Sequence, residues 1–316
     1  MEVLQVVTDD TRSSGLVSIG ELARSTGIAV RTIRFYCDEG ILESQRSAGG
    51  HRMFDAGGAT ERLLLVRRMR ALGLGLNAIT EVLHGERSVA EAADAESARL
   101  DIEFRSMAWR RAALRAVGAA TPAQRAARLA LLADVENGET AYDCLVQFWR
   151  HILSPISGRD VSAWLCGNVP EPPADPTVDQ VVAYAELTAL ATTPGMTTTV
   201  RQQLWRTQPH LVGDPQDLFD RMSDLMTDVA ALVSGGIEPR SGSELDRFVD
   251  AHARAQGERD TPDFRQRLLT DATDSDPRIH RYWSLTEQLL GTRLIVGPVH
   301  NWLYEALARA EPTTAR

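Results

Sequence analysis

The stretch from Ser18 to Leu83 constrains this chain most, because its order of short amphipathic runs and glycine breaks admits few folds. Ser18 with Glu21 three residues on makes the capping-box pattern that starts a helix, and Ile19, Leu22 and Ala23 supply its apolar face. Gly27 ends it. A second helix from about Ala29 to Asp38 places Val30, Ile33 and Cys37 inward, which turns Arg31, Thr32 and Arg34 towards solvent. Two short helices joined by a tight turn form a helix-turn-helix, whose second helix suits a major groove.

Gly40-Ile41-Leu42, a polar loop with Gly49-Gly50, and then His51-Arg52-Met53-Phe54 read as a hairpin, or wing. Arg46, His51 and Arg52 on such a wing would lie along a phosphate strand, since guanidinium and imidazole donors match phosphate oxygens. A solvated surface hairpin is the plainer alternative. Asp55 is placed to cap a third helix with Leu63, Leu64, Val66, Met69 and Leu72 as its stripe, and Leu76, Ile79, Val82 and Leu83 make a short fourth.

Charge divides the chain. Residues 18–83 hold nine Arg against seven Asp and Glu, whereas residues 119–316 hold 18 Arg against 27 acidic side chains, within an overall net charge of −9. A basic head and an acidic remainder suit a nucleic-acid reader whose far portion stays off the polyanion. All 34 basic side chains are Arg, so each offers a planar, two-pronged donor.

Five motifs carry a resemblance: Ser18-Ile19-Gly20-Glu21-Leu22-Ala23, Arg31-Thr32-Ile33-Arg34-Phe35-Tyr36, Gly40-Ile41-Leu42, Arg46 with Gly50-His51-Arg52-Met53-Phe54, and Arg70-Ala71-Leu72-Gly73-Leu74. In order and spacing they resemble the winged-helix DNA-binding domain of MerR-type transcription regulators, over about residues 16–118. The resemblance implies that Arg31, Thr32 and Arg34 face the groove of double-stranded promoter DNA, that Tyr36 stands near a backbone phosphate, and that Arg46, His51 and Arg52 make the wing contact. It further implies a homodimer that bends and untwists a promoter for RNA polymerase. Two positions depart from the family pattern: Cys37, where a polar or acidic residue is common, and Gly57-Gly58 in the first turn of the third helix.

Ser88 to Val117 contains no Pro and no Gly, and sets Ala93, Leu100, Met107 and Leu114 at seven-residue intervals, with Phe104 and Arg111 interleaved. A helix of this length spans about 45 Å. Its seam, in which Leu100, Phe104, Met107 and Leu114 are the dimerisation candidates, needs another helix. The same helix of a second subunit running antiparallel is one answer, and the helix beginning near Pro122 is the intramolecular alternative. Cys37, Cys144 and Cys166 are widely spaced and odd in number, which argues for a reducing cytoplasm and against a disulfide framework. Metal-sensing members of the family place cysteines near the end of this helix; none lies between Cys37 and Cys144, so neither metal nor cofactor is expected.

Residues 119–316 read as ten helices delimited by Pro and Gly, with a four-proline loop at 167–176 that could divide them into two lobes. Trp149, Trp164, Tyr184, Trp205, Trp283, Trp302 and Tyr304 are the effector-binding candidates. Each aromatic taken singly suits a core, but together, in an acidic segment, they suggest an acidic, aromatic-walled cavity for an apolar or cationic organic molecule. His151, His210, His252, His280 and His300 are scattered without a paired nucleophile or ligand, so no catalytic residues are assigned.

The expected fold is therefore mainly α, in four segments. A flexible extension spans residues 1–15, a winged helix-turn-helix head with a small β-hairpin 16–86, a long dimerisation helix 87–118, and an all-helical effector-sensing domain 119–316. No apolar run approaches the ~20 residues of a membrane span. The expected function is a dimeric regulator of a pseudo-palindromic promoter site, controlled by a small organic effector. A DNA-tethered enzyme and a ligand-independent module that binds a protein partner are the alternatives.

Overall fold

The computed structural model describes residues 15–207, 211–291 and 296–310. The extension expected at residues 1–15 lies, apart from Gly15, outside the described residues, as does His210. The chain divides into two units, one up to Glu103 and one from Phe104.

The first unit opens with β1 (Leu16–Ser18), α1 (Ile19–Thr26) and α2 (Val30–Asp38). The Ser18 hydroxyl accepts from the Glu21 backbone N–H while the Glu21 carboxylate accepts from that of Ser18, the reciprocal cap that the local sequence encodes. Gly27 closes α1 at φ 69°, a left-handed turn in which glycine meets no steric cost. After a loop come β2 (Gln45–Arg46) and β3 (Arg52–Asp55), then α3 (Ala56–Ala71), capped by Asp55 through the Gly58 N–H at 2.7 Å, and α4 (Leu76–Leu83). The wing hairpin is present, but the sheet has three strands in the order β1-β3-β2, all antiparallel. The strand Leu16–Ser18 is too short to show an alternation, and only its pairing with Met53–Asp55 makes it a strand.

Two apolar clusters hold this unit. One joins Leu22, Ile33, Leu42, Phe54 and Leu63; the other joins Ile41, Val66, Met69, Ile79 and Ala92, with Tyr36 packed against both. Each fully buried Leu or Ile contributes about 1.5–3 kcal/mol relative to exposure. Some of the basic run of α3 serves this packing. Arg62 donates to the Ile41 carbonyl at 2.6 Å, Arg67 to that of Thr26 at 3.0 Å, and Arg70 to that of Leu74 at 2.8 Å.

Helix α5 runs unbroken from Val89 to Ala119. Among the described residues of the remainder, ten helices follow the Pro and Gly punctuation closely: α6 (Pro122–Ala133), α7 (Gly138–Ile152), α8 (Gly158–Asn168), α9 (Val178–Thr192), α10 (Met196–Trp205), α11 (Pro215–Ser234), α12 (Ser243–Ala255), α13 (Pro262–Thr270), α14 (Pro277–Leu290) and α15 (Val296–Ala310). One continuous core unites them with the C-terminal half of α5, from Trp109 and Ala116 through Leu187 and Leu225 to Leu307. The proline loop therefore does not separate one core from another: it lies against the start of α7, where a Cβ added at Gly138 would stand 2.8 Å from Pro172 and 3.1 Å from the Trp109 ring. The crossing of α14 and α15 is equally close, since a Cβ at Gly297 would stand 2.6 Å from that of Trp283. No helix among the described residues is long and apolar enough to cross a membrane.

Candidate functional site

Helix α2 exposes Arg31 and Arg34, with Thr32 half-buried between them. Ile33 on the opposite face is fully buried, and this fixes the rotation of the helix and so the direction of the arginines. On the hairpin, Arg46 and His51 are exposed. Among the described residues the side chains of Arg31, Arg34 and Arg46 make no hydrogen bond or ion pair, so their guanidinium forks are available to phosphate or base edges. Gly50, at φ 79°, turns the hairpin tip, and the Ser47 N–H donates to the His51 carbonyl at 2.9 Å.

Arg52 stands apart. Its guanidinium donates to Asp38 at 2.9 Å, which ties β3 of the wing to the last residue of α2. This bond holds the Arg52 pKa above its ordinary value, while burial pushes the Cys37 thiol beside it up. Arg52 thus positions the wing as well as adding charge. Tyr36 is half-buried between the two clusters, its ring 5.9 Å from that of Phe35. Phe35, 42% exposed on the recognition helix, joins the candidate contacts; helical periodicity alone does not single it out, because an aromatic there suits a core equally well.

Residues 17–86 match the family described as MerR HTH family regulatory protein. This segment is a MerR-family helix-turn-helix domain. Similar proteins agree. The nodulation protein NolA of Bradyrhizobium elkanii is 36% identical over 86 residues, 27% of this chain and 39% of that protein. NolA of Bradyrhizobium diazoefficiens is 35% identical over the same length, 36% of its own. The mercuric resistance operon regulatory protein of Bacillus cereus is 39% identical over 66 residues, 21% of this chain and 49% of that protein. The chain thus spans less than half the length of these relatives. No solved structure matches the chain.

On the helix that follows the MerR domain, Leu100, Phe104, Met107 and Leu114 are 49–65% exposed, and Ile102 is 60% exposed. The buried side chains of its C-terminal half, Trp109, Ala112 and Ala116, sit on roughly the opposite face at about 100° per residue. The helix beginning at Pro122, the intramolecular alternative, does not cover the stripe.

In the helical unit Trp149 stands in ring contact with Trp164 and Trp283, at 4.2 and 5.5 Å between centroids, but the seven aromatic candidates do not share one cavity. Trp149, Tyr184 and Trp302 are core: Trp149 Nε1 donates to the Tyr282 hydroxyl at 2.6 Å, and Trp302 Nε1 to the Ile237 carbonyl at 2.7 Å. Trp283 donates to Gln203 at 3.2 Å, and Tyr304 is half-buried on α15. Only Trp164 and Trp205 line the apolar cavity, of about 230 Å³, which Leu204, Leu218, Phe219 and Met222 help to wall. Among the described residues its lining carries no charged side chain, against the expectation of an acidic cavity. The carboxylates of α11 face solvent, with Asp217 on Arg221 at 2.7 Å and Asp228 on Arg247 at 2.6 Å. Desolvation keeps them there, because an unpaired carboxylate in an apolar wall is costly.

Behind the cavity lies a polar cluster that the sequence did not reveal. Arg206, at φ 54°, makes a two-pronged pair with Asp274, and both are almost wholly buried. Gln203 donates to the same carboxylate at 3.3 Å. His252 and His300 are buried, and burial first, then the Arg206 charge, holds both neutral; His300 is pushed down to about 3 and His252 well below its usual value. Their positions in sequence leave them as scattered histidines, because spacing gives no hint of a shared interior.

These two groups predict an acid response. A group whose folded pKa is depressed supplies stability above its unfolded value, here 6.5, and loses it as pH falls. Urea unfolding monitored from pH 7 to pH 5 is expected to show stability falling below pH 6.5, by up to about 1.4 kcal/mol per pH unit for each histidine. His300→Phe should shallow that slope.

Proposed function

We propose that this chain is a one-component transcription regulator that acts as a homodimer on a pseudo-palindromic promoter site. The observation that carries it is the joint presentation of Arg31, Thr32 and Arg34 on one helix and Arg46 and His51 on the hairpin beside it, within a MerR-family domain. A helix-turn-helix of this kind reads a half-site in the major groove, and a second copy reads the other. Antiparallel pairing of the α5 stripes would set the spacing of the two heads. Some of the specificity would come from deforming the DNA between half-sites, the step that would present the promoter to RNA polymerase. Control would reside in a small organic effector held by the helical unit, with different affinity for two conformations of the dimer.

Selection of the full chain against random duplex DNA tests the reading. A pseudo-palindrome should be enriched, and recovery of no motif would count against it. On the selected site, Arg34→Ala is expected to weaken binding by about 1–3 kcal/mol in gel shifts while leaving the dimer intact. Unchanged affinity would sink the assignment of the recognition helix. Arg52→Ala should also weaken binding, through loss of the clasp to Asp38.

A further inference from the structure

We infer that the cavity walled by α8, α10, α11 and α15 is a ligand site for an uncharged, largely apolar molecule, of one or two fused rings, that carries a single hydroxyl bound by His300. The inference rests on the effector reading above and assigns its place and its chemistry.

Size comes first. An apolar cavity of roughly 150 Å³ stays dry and takes up benzene, so the volume here, about 230 Å³, admits a ring with more carbon attached. The walls come next: Leu204, Trp205, Leu218, Phe219 and Met222 offer dispersion contacts and no charge. A carboxylate in such a space would need a cation. Among the described residues the buried guanidinium nearby, Arg206, is committed to Asp274, and His300 resists protonation because it is already desolvated beside that same Arg206. A cationic ligand fares no better, since among the described residues no carboxylate lines the space.

His300 supplies the remaining feature. Its ring lines the cavity, the residue is 2% exposed, and neither ring nitrogen hydrogen-bonds to a described residue. Its Nε2 is the nitrogen that keeps accessible area, while Nδ1 is buried without a partner. Buried polar atoms are seldom left so. A neutral imidazole has one donor and one acceptor nitrogen. A hydroxyl suits either, because it can accept from the N–H or donate to the bare nitrogen, whereas a carbonyl or an ammonium serves only one.

The test is calorimetric titration and thermal shift of the full-length chain with four matched probes: 2-naphthol, 2-methylnaphthalene, 2-naphthoate and 2-naphthylmethylammonium. 2-Naphthol should bind and raise the melting temperature, with both charged probes at least tenfold weaker and 2-methylnaphthalene severalfold weaker. His300→Phe should erase the advantage of 2-naphthol over 2-methylnaphthalene. Met222→Trp and Met226→Trp, which fill the space from two positions, should each abolish binding, so the test survives if one fails to fold. Charged probes binding as tightly as 2-naphthol, no probe binding, or binding unchanged in both filled variants would overturn the assignment. If 2-naphthol binds as expected but leaves operator affinity unchanged in gel shifts, the site stands and effector control of DNA binding falls.

Discussion

A Phe104→Asp, Met107→Asp double variant is expected to sediment as a monomer and to lose at least ~100-fold in operator affinity, the span by which linking two sites usually exceeds one. Both side chains lie on the exposed stripe of α5, 50% and 64% exposed, between Leu100 and Leu114. Two carboxylates there would have to be desolvated against a partner helix, which costs more than apolar contact returns. The helix itself should survive, because Trp109, Ala112 and Ala116 anchor it through the other face. Unchanged helical content with a monomeric sedimentation profile is therefore the expected signature. A dimer that persists would move the interface elsewhere. The affinity loss follows from the modest charge of one head, whose nine arginines face seven carboxylates over residues 18–83. Three of those arginines, Arg62, Arg67 and Arg70, are spent on backbone carbonyls, and Arg52 is shared with Asp38.

Asp274→Ala is expected to destabilise the helical unit by about 3–5 kcal/mol, the usual cost of removing one partner from a buried ion pair. Arg206 would remain at 4% exposure with no counter-charge, its guanidinium 5.4 Å from the Phe248 ring centroid, in a space closed by neighbouring helices. Gln203, which bridges Asp274 and the Trp283 indole at 3.3 and 3.2 Å, would lose its acceptor on one side. Urea titration of the full chain, followed by tryptophan emission, checks this. A loss below about 1 kcal/mol, the level of an exposed pair, would show that the pair is not desolvated as the packing implies. A double variant replacing Arg206 with Met and Asp274 with Leu should recover much of the loss, since two apolar side chains remove both buried charges together.

The MerR-type head was largely legible in the sequence because its signals are local. A capping box at Ser18 and Glu21, a left-handed Gly27, the Gly-Gly turn before His51 and the Asp55 cap each act within a few residues, and each is found where the residues place it. The helices of the remainder were legible for the same reason, since Pro215, Pro262 and Pro277 stand at first-turn positions where a missing N–H costs nothing. The aromatic candidates fared differently. A helical stripe of Trp and Tyr says which face is buried but not against what, so Trp149 and Tyr282 meet in solid core while Trp164 and Trp205 reach a cavity.

What the sequence by itself determined was the kind and order of elements, the identity of the head, and an uncovered stripe on α5, because period, capping and turn chemistry are properties of neighbouring residues. Only the tertiary structure decided which polar groups share an interior. Arg206, Asp274, His252 and His300 come from four separate segments, and they meet only when the helices close around them. Whether an arginine reaches solvent or a carbonyl, and whether a histidine is a surface group or the polar point of an apolar cavity, is set by packing between distant segments, where desolvation rather than spacing governs the outcome.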